Sequence, residues 1–323
     1  MKRLTLIFSW AFLLFPVAKL FAQDDMEKLL QQAVPEEKKN EKVFATFKTT
    51  KVINAQSTET VKGGTLDFRI THRFGNIGVA SNGGVHTMWG FDNSEDIRFA
   101  FDYGITSNIT VGIARNKMNE LMDGTFKWKL LEQTTNNKVP FSVCLYENAG
   151  ATTMRERELY SDVDSTVAHK DAHRFIYTSQ LVLARKFNWR FSLEVIPGFT
   201  HRNFVKAYVN PDNGKTDEND FFSLGGALRF KITKRFSILL DYFHPFSEYR
   251  TKNSQNPFYD PIALGIEIET GGHVFHIDLT NASGINENNF IPYTTDDWPE
   301  GGFKLGFNIS RVFTIVKPKP QAQ

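Results

Sequence analysis

From residue 43 onward the chain alternates apolar and polar residues with a period of two. Leu66, Phe68 and Ile70 alternate with Asp67, Arg69, Thr71 and Arg73, and Ile97, Phe99, Phe101 and Tyr103 alternate with Arg98, Ala100 and Asp102. The pattern returns in Phe126–Lys129, Phe191–Val195, Phe222–Ile232, Phe236–Tyr242, Ile262–Ile268 and Phe303–Ile309. This period predicts β-strands that turn one face toward an apolar medium. The medium is either the interior of a sandwich or the lipid around a barrel.

The connections decide between these. Tight turns fall at Thr106-Ser107-Asn108, Phe187-Asn188, Thr233-Lys234-Arg235 and Thr270-Gly271-Gly272, with a medium one near Thr134 to Lys138. Between them lie the longer segments 75–94, 148–171, 203–220, 247–258 and 283–300, and a shorter one at 116–123. Short periplasmic turns alternating with long extracellular loops are the pattern of outer-membrane barrels, and a Greek-key sandwich has no reason to produce it. The expected fold is all-β, a transmembrane antiparallel up-and-down β-barrel over residues 63–316 with about twelve strands. Strands of roughly 9 to 13 residues also suit a tilted bilayer crossing. An even count returns both ends of the barrel to the periplasm, so residues 43–62 are expected in the periplasm or folded into the lumen. Phe187, Trp189, Phe236, Phe246, Phe303 and Phe313 lie near strand ends, where an interfacial girdle would sit.

Composition narrows the class. Mean hydropathy is −0.33, which excludes a multi-span helical protein, since each span needs about 20 apolar residues. The 38 Lys and Arg nearly cancel the 36 Asp and Glu, which argues against a nucleic-acid partner. At the N-terminus, Lys2 and Arg3 precede an apolar run from Leu4 to Ala18 and the small residue of Leu20-Phe21-Ala22. This predicts a signal peptide over 1–22, cleaved to leave Gln23. Residues 23–42 are charged and read as a solvated linker, and 317–323 as a C-terminal tail. Cys144 stands alone, so no intramolecular disulfide forms, and it lies far from the cut, which closes the lipoprotein route. The expected location is the outer membrane of a Gram-negative bacterium. The partners would be its lipids, the barrel-insertion machinery and a small polar solute.

The stretch Phe47-Lys48-Thr49-Thr50-Lys51-Val52-Ile53-Asn54, then Glu59-Thr60 and Gly64-Thr65-Leu66-Asp67-Phe68-Arg69-Ile70-Thr71-His72-Arg73-Phe74-Gly75, resembles the domain-of-unknown-function 5777 family of bacterial β-barrels. So do Gly84-Val85-His86-Thr87 and Gly90-Phe91-Asp92-Asn93-Ser94. The resemblance covers the chain from about residue 43 to its end and is most specific over 47–112. It implies an outer-membrane-type barrel and supplies no activity, substrate or catalytic residue.

With Leu66, Phe68 and Ile70 toward lipid, parity sends Asp67, Arg69, Thr71 and Arg73 into the lumen. The same rule adds Arg98, Asp102, Lys127, Lys129, Arg190, Glu194, Arg229, Lys231, Asp241, Glu267, Glu269, His276, Asp278, Lys304 and Asn308. These charges either line a pore with a modest anion preference or pair across and close the lumen. The glycine-rich loop Gly75 to Ser94 offers Trp89, Phe91, Asp92 and Asn93 as a constriction folded into the pore, with an ordinary surface loop as the alternative. The segment Gln56 to Lys62 could form a small periplasmic plug. His169, Asp171 and His173 could share a face toward a metal, but such a cluster is more often a polar loop, and neither metal nor cofactor is assigned. An outer-membrane lipid hydrolase would need His and Ser two apart. Here His72 is followed by Phe74, His201 by Asn203, His244 by Phe246 and His276 by Asp278, so no catalytic residue is assigned. A channel or transporter for small polar solutes is the leading expectation. The alternative is a closed barrel that works through its long loops.

Overall fold

A computed structural model describes residues 41–79, 81–163, 167–270 and 273–316. The expected signal peptide, the expected linker up to residue 40 and the tail 317–323 lie outside the described residues. The first six strands are β1 (Thr65–Asn76), β2 (Ser94–Gly104), β3 (Ile109–Asn116), β4 (Leu121–Leu131), β5 (Ser142–Thr152) and β6 (Phe175–Lys186). They are followed by β7 (Phe191–Arg202), β8 (Asp220–Lys231), β9 (Phe236–Phe246), β10 (Ile262–Thr270), β11 (His273–Thr280) and β12 (Lys304–Thr314). Each strand pairs antiparallel with its neighbours in sequence, and β12 returns to β1 with Thr65 opposite Thr314 and Ile70 opposite Ile309. The twelve strands form one closed up-and-down barrel. Closure pairs the outer strands and leaves no open sheet edge for lipid to meet.

The expected alternation of connections is present except around β4, where four residues (117–120) precede the strand on the long-loop side and ten (132–141) follow it on the short-turn side. Short turns follow β2, β6, β8 and β10, and long loops follow β1, β5, β7, β9 and β11. The largest boundary difference is at β5, which runs on to Thr152, so residues 148–152 are strand rather than loop. Asn148-Ala149-Gly150-Ala151 carries almost no hydropathy contrast, yet its backbone pairs with both β4 and β6. Among the described residues two α-helices sit in the loops, the one-turn α1 (Glu156–Leu159) and α2 (Glu287–Tyr293).

The outward face is apolar. Phe101, Ile113, Phe126, Trp128, Val195, Phe222 and Ile277 are all exposed there, Ile113 at 67% and Phe222 at 65%. So broad an exposed apolar surface requires lipid rather than water as its solvent. The inward face divides into two sectors. Strands β1–β4, β11 and β12 send in charged and polar groups such as Arg69, Arg73, Arg98, Lys127 and Asp278. Strands β5–β10 contribute the apolar Cys144, Val182, Ile196, Leu239, Phe243 and Ala263, which form one buried cluster, with the polar Tyr146, Glu194, Arg229, Asp241 and Glu267 buried on the same strands. β1 shifts register only after Arg73, near its long-loop end, so the inward assignment of Asp67 to Arg73 survives the bulge.

Gly225 faces inward opposite Phe243, and a Cβ there would fall 2.2 Å from the Phe243 ring. That ring is fully buried and packs edge-on against Phe290 of α2 at 5.1 Å, which leaves it no room to yield. Gly225→Ala is therefore expected to destabilise the barrel by about 1–3 kcal/mol through overpacking. Gly124→Ala, where a Cβ meets nothing closer than 4.0 Å, is expected to be close to neutral. Denaturant unfolding of the refolded protein in detergent micelles, followed by tryptophan fluorescence, compares the two.

Candidate functional site

Eight-stranded barrels fill with their own side chains, whereas sixteen strands leave an aqueous channel. Twelve strands fall between, and here two inserted segments occupy the interior. From the short-turn end, residues 43–62 enter as a hairpin. Ser57 N–H donates to the Thr50 carbonyl at 3.0 Å, and Val52 N–H to that of Ala55 at 2.8 Å, placing Val52–Ala55 at the tip. From the long-loop end comes α2. The Asn286 side chain caps it by accepting from Asn288 N–H at 2.8 Å, and Pro292, which has no N–H, keeps it short. Phe47, Val52 and Ile53 of the hairpin and Phe290 and Ile291 of α2 pack against the apolar sector of the wall.

The two insertions meet at Glu287, only 1% exposed. Its Oε1 accepts from Lys51 Nζ at 3.0 Å and Gln56 Nε2 at 2.9 Å, and its Oε2 from the Tyr146 hydroxyl of β5 at 3.0 Å. Lys51 Nζ also donates to the Ile285 carbonyl at 2.8 Å. Burial works against the Glu287 charge, but Lys51, Arg98 and the Gln56 hydrogen bond outweigh it, so its carboxyl lies below the ordinary glutamate value. Asp241 of β9 holds the hairpin tip, accepting the backbone N–H groups of Asn54 at 2.7 Å and Ala55 at 3.0 Å. Arg73 bridges Asp278 Oδ1 at 2.5 Å and Asn54 Oδ1 at 2.7 Å. Lys127 donates to the Thr50 carbonyl at 2.7 Å, and Arg69 to the Thr50 hydroxyl at 2.7 Å and Asp67 at 3.0 Å.

The remaining parity-assigned residues fall as follows. Arg98 forms a two-pronged pair with Asp123 at 2.5 and 2.8 Å. Arg229 grips Glu267 at 2.6 and 2.8 Å and Glu269 at 2.9 Å, while Lys231 lies 3.8 Å from Glu269. His276 lies 3.3 Å from Glu267, and Asn308 bonds the Thr71 hydroxyl. Lys129 approaches Glu59 of the hairpin at 3.7 Å. Lys304 donates to Asp296 at 2.5 Å. Glu194 is buried with neither carboxylate oxygen bonded to a described residue. Asp102 faces Arg69 and Lys127 across a cavity of ≈30 Å³, enough for about a water or two. Arg190 departs from the lumen assignment. It lies in the turn before β7, with its guanidinium over the Trp189 ring at 4.4 Å, because the strand begins only at Phe191.

The constriction expectation is corrected. Trp89 is 52% exposed and Phe91 47%, and Asp92 and Asn93 lie in the same surface loop. Phe91 packs on the lipid-facing Phe74 at 4.9 Å, so its apolar surface is used on the outside of the wall. The loop that folds inward is the last one, through α2. His169 and His173 do not converge on a metal. His169 bonds Glu156 at 2.5 Å and stacks on Tyr160, and His173 bonds the Tyr160 hydroxyl at 2.9 Å. Among the described residues, no group of three His, Cys, Asp or Glu is placed to hold a metal ion.

Above α2, the loops after β5, β7 and β9 surround a cavity of ≈430 Å³. Its charged residues include Arg202 and Arg250, neither of which was selected from the sequence. Arg202 continues the inward parity of Glu194 along β7 and was readable on that ground. Arg250 and Glu287 lie in loops, where no period assigns a face.

No curated protein matches the chain. Among solved structures, it is similar to the NanC porin at 10% identity, with 78% of this chain and 100% of that one covered and a TM-score of 0.43. It is similar to the KdgM porin at 7% identity, covering 77% and 98%, with a TM-score of 0.42. A third is the Acinetobacter baumannii outer membrane protein Omp33, at 10% identity, covering 80% and 100%, with a TM-score of 0.38. Likeness at this level bears on neither ligand nor transport. The family model of the membrane bound beta barrel domain (DUF5777) matches residues 47–313, from the lumen hairpin into the last strand, and the chain belongs to that family.

Proposed function

We propose that the protein is a gated outer-membrane channel for small polar solutes, closed in the form described, with the hairpin 43–62 and α2 as its gate. In this reading a signal peptide cut after Ala22 exports the chain from the cytoplasm of a Gram-negative bacterium, and the barrel-insertion machinery delivers it into outer-membrane lipid. The observation that carries the reading is the chemistry of the seal. The two insertions are joined to each other, and to the wall, by polar and ionic bonds centred on Glu287, Asp241 and Arg73. Withdrawing them would uncover a hydrophilic surface that includes Arg69, Arg98, Asp102 and Lys127. An interior filled for stability alone could be apolar throughout, which is often the more stable arrangement. A closed scaffold that acts through its long loops is the second reading, and the filled lumen with its many paired charges favours it.

Single-channel recording in planar bilayers separates the two. The mature chain is expected to be nearly silent at neutral pH, and a chain beginning at Gly63 to give steady steps with a modest anion preference that falls on Arg69→Gln. Silence from an inserted, protease-resistant Gly63 chain would establish the scaffold reading instead. Cys144 is fully buried against the hairpin and reports the same event. A water-soluble maleimide is expected to label it in the Gly63 chain and not in the mature one.

The Glu287 latch has a defined pH dependence. Because its folded pKa is lowered, its contribution is complete above the ordinary value of 4.5 and is lost as the pH falls through the lower folded value. Openings of the mature chain are therefore expected to appear only in acid. Glu287→Ala, which leaves Lys51 buried without its carboxylate, is expected to raise the open frequency at neutral pH by roughly tenfold or more.

A further inference from the structure

We infer that the vestibule above α2 is a binding site for a small aromatic carboxylate. The inference goes beyond the channel reading, since a site of this kind would bind its ligand whether or not the barrel conducts. It begins with two arginines that share one acid. Arg202, at the long-loop end of β7, and Arg250, in the loop after β9, are 2% and 6% exposed. Both converge on Asp217 Oδ1, at 2.6 Å from Arg202 Nη2 and 3.2 Å from Arg250 Nη1.

Their other bonds go to neutral oxygens. Arg202 Nη1 donates to the Tyr293 hydroxyl at 3.3 Å, and Nη2 also donates to the Glu218 carbonyl. Arg250 Nε donates to the Pro292 carbonyl at 3.1 Å, and Nη1 to the Ser247 hydroxyl at 2.9 Å. Arg202 Nε and Arg250 Nη2 remain buried without a partner. A buried donor on a charged group is costly to leave unsatisfied, and a carboxylate lying in the guanidinium plane is the acceptor that fits it best.

The charge around the cavity has the same sense. Arg174, Arg202, Lys206 and Arg250 line it, against the carboxylates Glu158 and Asp217. Arg174 is held by the Thr152 and Met154 carbonyls and Lys206 by the Ser161 hydroxyl, none of which cancels a charge. Glu158 is turned to the N-terminus of α1, where it accepts from Arg155 N–H at 3.3 Å. Burial and the neighbouring Arg202 push the Arg250 side chain below the ordinary arginine value, with Asp217 and, less strongly, Tyr293 and Glu218 acting against them. Four basic side chains thus surround the cavity against two carboxylates, of which only Asp217 pairs with the arginines.

Aromatic residues supply the rest of the recognition surface. The Arg250 guanidinium lies over Phe221 at 5.0 Å and Phe258 at 5.2 Å, so its faces are taken and its edge is left for a ligand. Phe204, Tyr208 and Phe258 form walls against which a flat apolar ring can lie. A volume of ≈430 Å³ suits a small organic molecule and exceeds what a bare inorganic anion would fill.

The test is isothermal titration of the mature chain, refolded in detergent, with phenylacetate as the probe and phenylacetamide and acetate as comparators. Saturable binding of phenylacetate is expected, with each comparator weaker by roughly tenfold or more. Arg250→Gln is expected to abolish the preference for phenylacetate over phenylacetamide, and Arg250→Lys to keep part of it. Equal binding of the acid and its amide by the unaltered protein would overturn the inference, and this comparison needs no variant to fold. Equal binding of acetate would remove the ring from the proposal, and an unchanged Arg250→Gln would remove the guanidinium. Bilayer silence of the Gly63 chain would refute the channel and leave these binding results intact.

Discussion

Closing twelve strands into a ring satisfies every strand from both sides and creates an interior wider than the strands' own side chains can fill. The rest of the structure follows from that constraint. The outer face has no choice of solvent and is predominantly apolar. The inner face must be lined, flooded or filled, and here the hairpin and α2 fill it from opposite ends. The filling is specified twice, by shape against the apolar cluster of β5–β10 and by hydrogen bonding against buried polar groups of the wall such as Arg73, Lys127, Tyr146 and Asp241.

Such a division has energetic consequences. The apolar sector, with Phe243 edge-on to Phe290, fixes where α2 sits. The buried charges of the wall cannot stay dry without partners, and the hairpin supplies them as backbone as well as side chains: Asn54 and Ala55 N–H to Asp241, and the Thr50 carbonyl to Lys127. Glu287 connects the two insertions, accepting from Lys51 and Gln56 of the hairpin while it belongs to α2. α2 also forms part of the vestibule lining through Asn288, Asn289 and Tyr293, which gives one short helix contacts with both the outer cavity and the lumen hairpin.

The period-two pattern made the barrel, its strand number and the facing of most charged residues legible before any coordinates, because side-chain direction in a strand depends only on parity. Arg73 and Asp278 lie on one face by that rule, and their pairing at 2.5 Å needs only the register that brings β1, β12 and β11 side by side. Parity failed at Arg190, where strand had given way to turn, and it had no hold on the loops. The glycines of 75–94 suggested an inward fold, yet Phe91 found its apolar contact on Phe74 outside the wall.

What the sequence determined by itself was therefore the class of the fold and the two-faced character of its wall, since local alternation and turn spacing encode both. What only the tertiary structure decided was the content of the lumen. Lys51 and Glu287 are 236 residues apart, and Arg202 and Arg250 come together only because the loops after β7 and β9 fold over the same end of the barrel. No local period records such a meeting. It depends on ring closure, which turns distant segments into neighbours inside one enclosed volume.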